Sequence, residues 1–194
     1  KIGDSWGEGV VFVVGEVTGY DEGTGMLTTN TEGVNAYRGR MIADTVVNKK
    51  SWTAKMTQDG YKTLIGMSDM NSGAKNMEAL AAFIISHGES VDDYPLYKDI
   101  SAKDGWYVPA LNEMIHIFTY QEVLGKALEA RGGTGIDGNL DVYWTSTEYV
   151  AYMGESATDN VESICYLGHN TPSLKKPSPG SKSVPMTARI VKAF

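Results

Sequence analysis

The side chains able to do chemistry are few. The chain holds one cysteine, Cys165, and three histidines, His87, His116 and His169, among scattered carboxylates. Serine-based acyl transfer needs a nucleophile exposed on a strained turn, and no G-x-S-x-G elbow occurs. The histidines never fall at H-x-x-x-H spacing, and a lone cysteine cannot build a zinc ribbon. Neither G-x-x-x-x-G-K nor a strand-linked G-x-G-x-x-G is present. "GGTGIDG" (132–138) follows a helical pattern instead of opening one, so its N–H groups are not expected to converge on a phosphate; it reads as a turn. "SDMNSG" (68–73) sets Asp69 and Asn71 two apart, but the third ligand and terminal Glu of a calcium loop are missing. Glu148, Glu155, Asp159 and Glu162 stand near the late strands, where solvated positions are expected. Cys165, in an alternating apolar stretch, reads as a buried, inert thiol. No metal or cofactor site is expected.

The aromatic residues offer recognition in place of catalysis. Trp106, Tyr107, Tyr143, Trp144, Tyr149, Tyr152 and Tyr166 gather in the second half of the chain. Trp106 and Trp144 stand in strand-like apolar contexts and read as core. Tyr149 and Tyr152 stand next to "GESATDN", where rigid amphipathic rings beside small polar groups suit a sugar or a protein partner. The candidate ligand-binding set is therefore Tyr149, Tyr152, Glu155, Asp159, Tyr166 and His169.

A formal charge of −7, with no run of Lys or Arg longer than two, gives no cationic footprint for nucleic acid or anionic lipid. An apolar fraction of 42% over 194 residues suffices for a core without staples. No apolar run approaches the roughly 18 residues of a membrane span. The chain opens Lys-Ile-Gly-Asp with no initiator methionine, so a processed product is expected, with any signal or lipid-anchor segment upstream.

The elements that must position these residues follow from periodicity. "GVVFVVGEV" (9–17) reads as a buried strand, with a hairpin return near Met26–Thr29. Residues 31–72 carry no clear period and are expected to fold onto the surface. "NMEALAAFIISHG" (76–88) is a helix with Met77, Leu80, Ala81, Ile84 and Ile85 on one stripe, Asn76 as its cap and Gly88 as its stop. "GWYVPALNEM" (105–114) is a strand-to-helix junction: Trp106 and Tyr107 end a strand, Pro109 starts a helix, and Leu111, Met114, Ile115 and Phe118 anchor it. A kink is expected at Gly125. Glu113 reads as a surface carboxylate complementing the helix dipole, so Glu113→Ala should cost little, whereas Trp106→Ala should cost about 3–5 kcal/mol if the indole is buried. "DVYWTSTEY", "NVESICYLG" and "VPMTARIVKAF" are strand-like, and "HNTPSLKKPSPGSKS" (169–183) reads as an exposed loop. Helices grouped against antiparallel strands make the class α+β, with one domain over 1–194.

Three of these segments in order, "GWYVPALNEM", "YWTSTEY" and the terminal "ARIVKAF", resemble the pattern of the collagen-like-protein C-terminal domain family of bacterial secreted proteins. "IGD…GVVFVV" and "SDMNSGAKNMEAL" resemble it too, so the likeness spans the chain, with an unfamiliar insertion around residues 20–50. The resemblance implies a C-type-lectin-like fold related to the formylglycine-generating enzyme. In that fold the N- and C-terminal strands pair, two helices flank antiparallel sheets, and a loop-rich half displays the binding surface. Trp106, Pro109, Glu113, Trp144, Ser146, Thr147 and Arg189 fall on the family's motif positions, whose role is mostly structural. Val108 and Ala188 stand where Leu and Val are more usual. The cysteines of the formylglycine-generating enzymes and the lectin calcium motifs are lacking, so neither activity carries over. The resulting expectation is a non-catalytic extracellular or cell-surface module recognising a glycan or a surface macromolecule. A structural or adhesion subunit of a bacterial surface assembly is the alternative, and a hydrolase-like enzyme is the third reading.

Overall fold

In the computed structural model the described residues are 1–54, 64–136, 142–152, 161–169 and 178–194. The chain starts with β1 (Ser5–Trp6), β2 (Gly9–Val14), β3 (Glu16–Asp21), β4 (Met26–Asn30) and β5 (Gly39–Lys50). There follow α1 (Gly73–His87), α2 (Pro95–Ser101), β6 (Trp106–Tyr107), α3 (Leu111–Thr119) and α4 (Gln121–Ala130). The last part runs β7 (Val142–Tyr152), β8 (Val161–His169), β9 (Ser178–Ser181) and β10 (Met186–Ala193). Short 3-10 turns occupy Gly33–Tyr37 and Val91–Asp93. The class is α+β, as the element order predicts.

The main sheet runs β1-β2-β5-β10-β7-β8-β9, with β6 also paired to β10. Its pairings are antiparallel except for the parallel contact of β10 with β7 at Thr187 and Tyr143. The expected direct pairing of first and last strands is not what forms. β5 lies between β2 and β10, so the region expected to be peripheral supplies a central strand, with Met41, Ile42, Ala43 and Val47 buried. The two ends of the chain still meet: the Trp6 and Phe194 rings stack at 5.4 Å, and Phe194 exchanges backbone hydrogen bonds with Gly39. The remainder of the 20–50 region holds the end of β3, β4 and the Gly33–Tyr37 turn, and β3 and β4 form a separate two-stranded sheet.

Four α-helices stand among the described residues where two were expected. α1 begins three residues before the predicted start, with Ser72 at its N-cap, and ends at Gly88 in the left-handed conformation (φ 63°). Phe83 joins Met77, Leu80 and Ile84 on its buried face, while Ile85 is exposed. The long helix breaks at Tyr120, not at Gly125. Gly125 is instead buried in α4 at a close approach to the backbone of Ile136, where a Cβ would lie 3.4 Å from its nitrogen. Pro109 does not open α3, which begins two residues later at Leu111 with Ala110 at the N-cap. The segment read as an exposed loop ends in β9 and places Lys182 in the interior.

Bulges re-aim the strands. Between the pairs Trp144–Leu167 and Glu148–Cys165, three β7 residues oppose one on β8. An unpaired stretch of this kind turns its groups out of the ladder toward other elements. A smaller bulge at Phe12 in β2 frees that carbonyl for a side chain of α3.

Candidate functional site

Glu113 is the first polar residue of the junction helix to be settled by the structure, and it is fully enclosed, which corrects the surface reading. It sits at the third position of α3 and reaches back to accept the Ala110 N–H at 2.8 Å, one half of a capping box. The same oxygen accepts the Gly73 N–H at 2.8 Å, tying the starts of α1 and α3 together. Gly73 is required there: a Cβ would lie 2.0 Å from the Val108 carbonyl. The other oxygen accepts the Tyr107 hydroxyl at 3.0 Å and the Arg40 guanidinium from β5. Arg40 also donates to the Asn71 carbonyl at 2.7 Å. Burial pushes the Glu113 carboxyl above the usual carboxylate range, opposed by Arg40 and then by the two N–H groups and the hydroxyl. Burial likewise holds the Tyr107 hydroxyl well above its ordinary value, with the Glu113 charge adding to it.

The "WTSTE" stretch is the counterpart on β7. Trp144 is fully buried and its indole donates to the Lys50 carbonyl at 3.0 Å. The bulge turns the next three residues toward α3 and the 67–71 segment. The Ser146 N–H donates to the Pro109 carbonyl at 2.9 Å, and the Asn76 amide donates to the Ser146 hydroxyl at 3.2 Å. The Thr147 hydroxyl accepts the Leu111 N–H and donates to the Asp69 carbonyl, both at 3.0 Å. Glu148, expected to be solvated, is buried. Its carboxylate accepts the N–H groups of Ile65, Gly66 and Met67 at 2.7–3.1 Å and the Lys182 ammonium at 2.7 Å. Arg189 is buried too, donating to the carbonyls of Thr134 and Gly135 and lying 5.3 Å from the centre of the Tyr143 ring. Trp106 is only half-buried, so the condition attached to a large Trp106→Ala cost is not met, whereas Glu113 is enclosed.

Asp69 is engaged as a turn residue, accepting the N–H groups of Asn71 and Ser72, each at 2.8 Å. Among the described residues no group of three His, Cys, Asp or Glu is placed to hold a metal ion. His116, which sequence reasoning left unassigned, joins three elements. Its Nδ1 accepts the Leu27 N–H at 3.0 Å, and its Nε2 donates to the Phe12 carbonyl at 2.9 Å. Those bonds fix the neutral tautomer, and burial holds the pKa below 6.5. His87, expected as a cation at the helix end, stacks on Phe83 at 4.0 Å.

Of the candidate ligand-binding residues, Glu155 and Asp159 lie outside the described residues. Tyr149 and Tyr152 stand on β7 opposite Ile164 and Val161 of β8, while His169 pairs with Val142 at the other end of that ladder. At about 3.3 Å per residue the nine residues of β8 span roughly 26 Å, so Tyr152 and His169 mark opposite ends of the hairpin. Tyr166 opposes the bulge and pairs with Pro179 of β9.

One open groove of about 670 Å³ crosses the sheet near the β5 bulge, with Trp106 in its wall. No helix among the described residues is long and apolar enough to cross a membrane.

No protein-family profile matches the chain, and no curated protein does. Among solved structures, the chain is similar to a fimbrial protein from Bacteroides ovatus, with a TM-score of 0.58 at 19% identity over 96% of this chain and 44% of that one. The chain thus spans less than half the length of that protein, and the likeness is one of fold.

Proposed function

We propose that the chain is a structural or adhesion unit of a bacterial surface assembly. The observation that carries this reading is the fold shared with a fimbrial protein along 96% of the chain. The chemistry of the interior agrees with a non-catalytic role. Glu113 and Glu148 each accept hydrogen bonds from backbone N–H groups and from a cation, an engagement that supports a clamping role for both carboxylates. A finer form of the proposal makes the module a C-type-lectin-like member of the collagen-like-protein C-terminal domain group that contacts a glycan or surface macromolecule, with Tyr149 and Tyr152 as first contacts. Antibody labelling of intact cells of the native host tests the main reading. Surface label that is lost on protease shaving is expected, and protein found only inside intact cells overturns it.

A further inference from the structure

The groove beside Trp106 shares no lining residue with the Glu113 and Glu148 clusters. It forms where β5 and β10 lose register: Ile42 pairs with Val191 and Val46 with Arg189, so Ala43, Asp44 and Thr45 oppose Ile190 alone. Such a bulge lifts side chains out of the regular pleat. Ala43 and Ile190 are buried and supply apolar surface, Trp106 adds a half-buried indole, and Thr45 stands exposed at the rim. The volume of about 670 Å³ falls within the range of small-ligand sites, roughly 300–1,000 Å³.

The polar groups at the groove carry both signs of charge. Asp44 accepts two hydrogen bonds from the Arg131 guanidinium, at 2.8 and 2.9 Å. Asp104 lies 3.8 Å from the Lys192 ammonium. The Lys192 stem runs against Gly105, whose left-handed backbone (φ +70°) would bring a Cβ to 3.1 Å from it. Glu8 and Lys103 complete the polar lining with opposite charges. Three carboxylates are thus offset by two lysines and Arg131, leaving no net charge to select an ion. What the lining offers is an aromatic side chain bordered by hydrogen-bond donors and acceptors.

From this geometry we infer that the groove is a binding site for a neutral saccharide, one face of a sugar ring lying on the Trp106 indole and its hydroxyls bonding the charged rim. The inference rests on the recognition reading above for its biological setting, but the groove is distinct from the Tyr149–Tyr152 end of β7.

The experiment is a glycan array probed with the purified protein, followed by calorimetric titration of the strongest neutral oligosaccharide hit. Thr45→Trp fills the groove from an exposed position and is expected to weaken binding by about tenfold or more while leaving the thermal midpoint in place. Trp106→Phe should weaken binding less and remove any ligand-induced change in indole fluorescence. The Tyr149→Ala/Tyr152→Ala double variant should bind like the parent. Binding unaltered by Thr45→Trp, binding lost only in the tyrosine variant, a preference for charged glycans or peptides, or no saccharide binding at millimolar concentration would each overturn the inference. Surface labelling is measured separately, so failure of the groove leaves the adhesion proposal standing.

Discussion

Glu113 and Glu148 are two answers to one problem, the burial of a carboxylate. Both side chains are almost wholly enclosed, at 0% and 2% exposure, and both accept backbone N–H groups from distant segments. Their cations differ. Arg40 keeps 14% of its side chain exposed and spreads its charge over a planar fork that also serves the Asn71 carbonyl. Lys182 is a compact ammonium at 1% exposure. A guanidinium that keeps some water tolerates loss of its partner better than a sealed ammonium does, because the cost of an orphaned buried charge is mostly lost hydration. On that ground the cation's access to water, more than the carboxylate's own burial, is expected to set how much each cluster loses when its carboxylate is removed.

The sharpest break of that comparison is Glu148→Ala. It takes the carboxylate away from the Lys182 ammonium and from three backbone N–H groups at once, with an expected loss of about 5 kcal/mol in urea unfolding, the upper end for breaking a buried pair. Glu113→Ala is expected to cost less, about 3 kcal/mol, because Arg40 can rehydrate. An equal or larger loss for Glu113→Ala would show that the N–H clamp, and not the cation, decides. Glu113→Gln keeps an acceptor for Ala110 and Gly73 and should recover about 1 kcal/mol of that loss.

A smaller effect comes from His116, which shares Arg40 as an unfavourable neighbour. Its pKa in the folded protein lies below the unfolded value of 6.5, so the unfolded chain takes up the proton first. The stability it contributes is fully present above 6.5 and falls as pH drops through the folded value. Glu113 contributes in the opposite sense. With its folded pKa raised above 4.5, its contribution is full below that value and is lost as pH rises through the folded one. The thermal midpoint should therefore fall between about pH 7.5 and about pH 5 more steeply in the parent than in His116→Gln. Parallel profiles would exclude the imidazole. At the bottom of the scale, Lys126→Ala removes an exposed pair with Glu122 on α4 and should leave the urea midpoint unmoved.

How legible each part was depends on the range of the interaction behind it. β2 is a continuous apolar run and was readable because both of its faces are buried. α1 was readable by period, and the substitution of Phe83 for Ile85 on its inner face is a small rotation of the same stripe. β5 hid because its bulge at 43–45 breaks the period of two that marks a strand. α2 hid because seven residues with only Leu96 and Ile100 buried give too short a pattern. The clamps hid for a different reason: a carboxylate looks solvated in sequence, and the donors that enclose Glu113 and Glu148 lie 40 and 81–83 residues away.

By itself the sequence determined the α+β class, the buried β2 strand, the α1 helix with its glycine stop, and the indole of Trp144 in the core. These depend on side-chain periodicity and on turn residues, which act within a few positions of the chain. Only the tertiary structure decided that β5 separates the first and last strands, that Glu113 and Glu148 lie in the dry interior, and that Trp106 borders an open groove. Hydrogen-bond partners for a desolvated charge, and the walls of a concavity, come from segments far apart in the chain that meet only when the sheet closes.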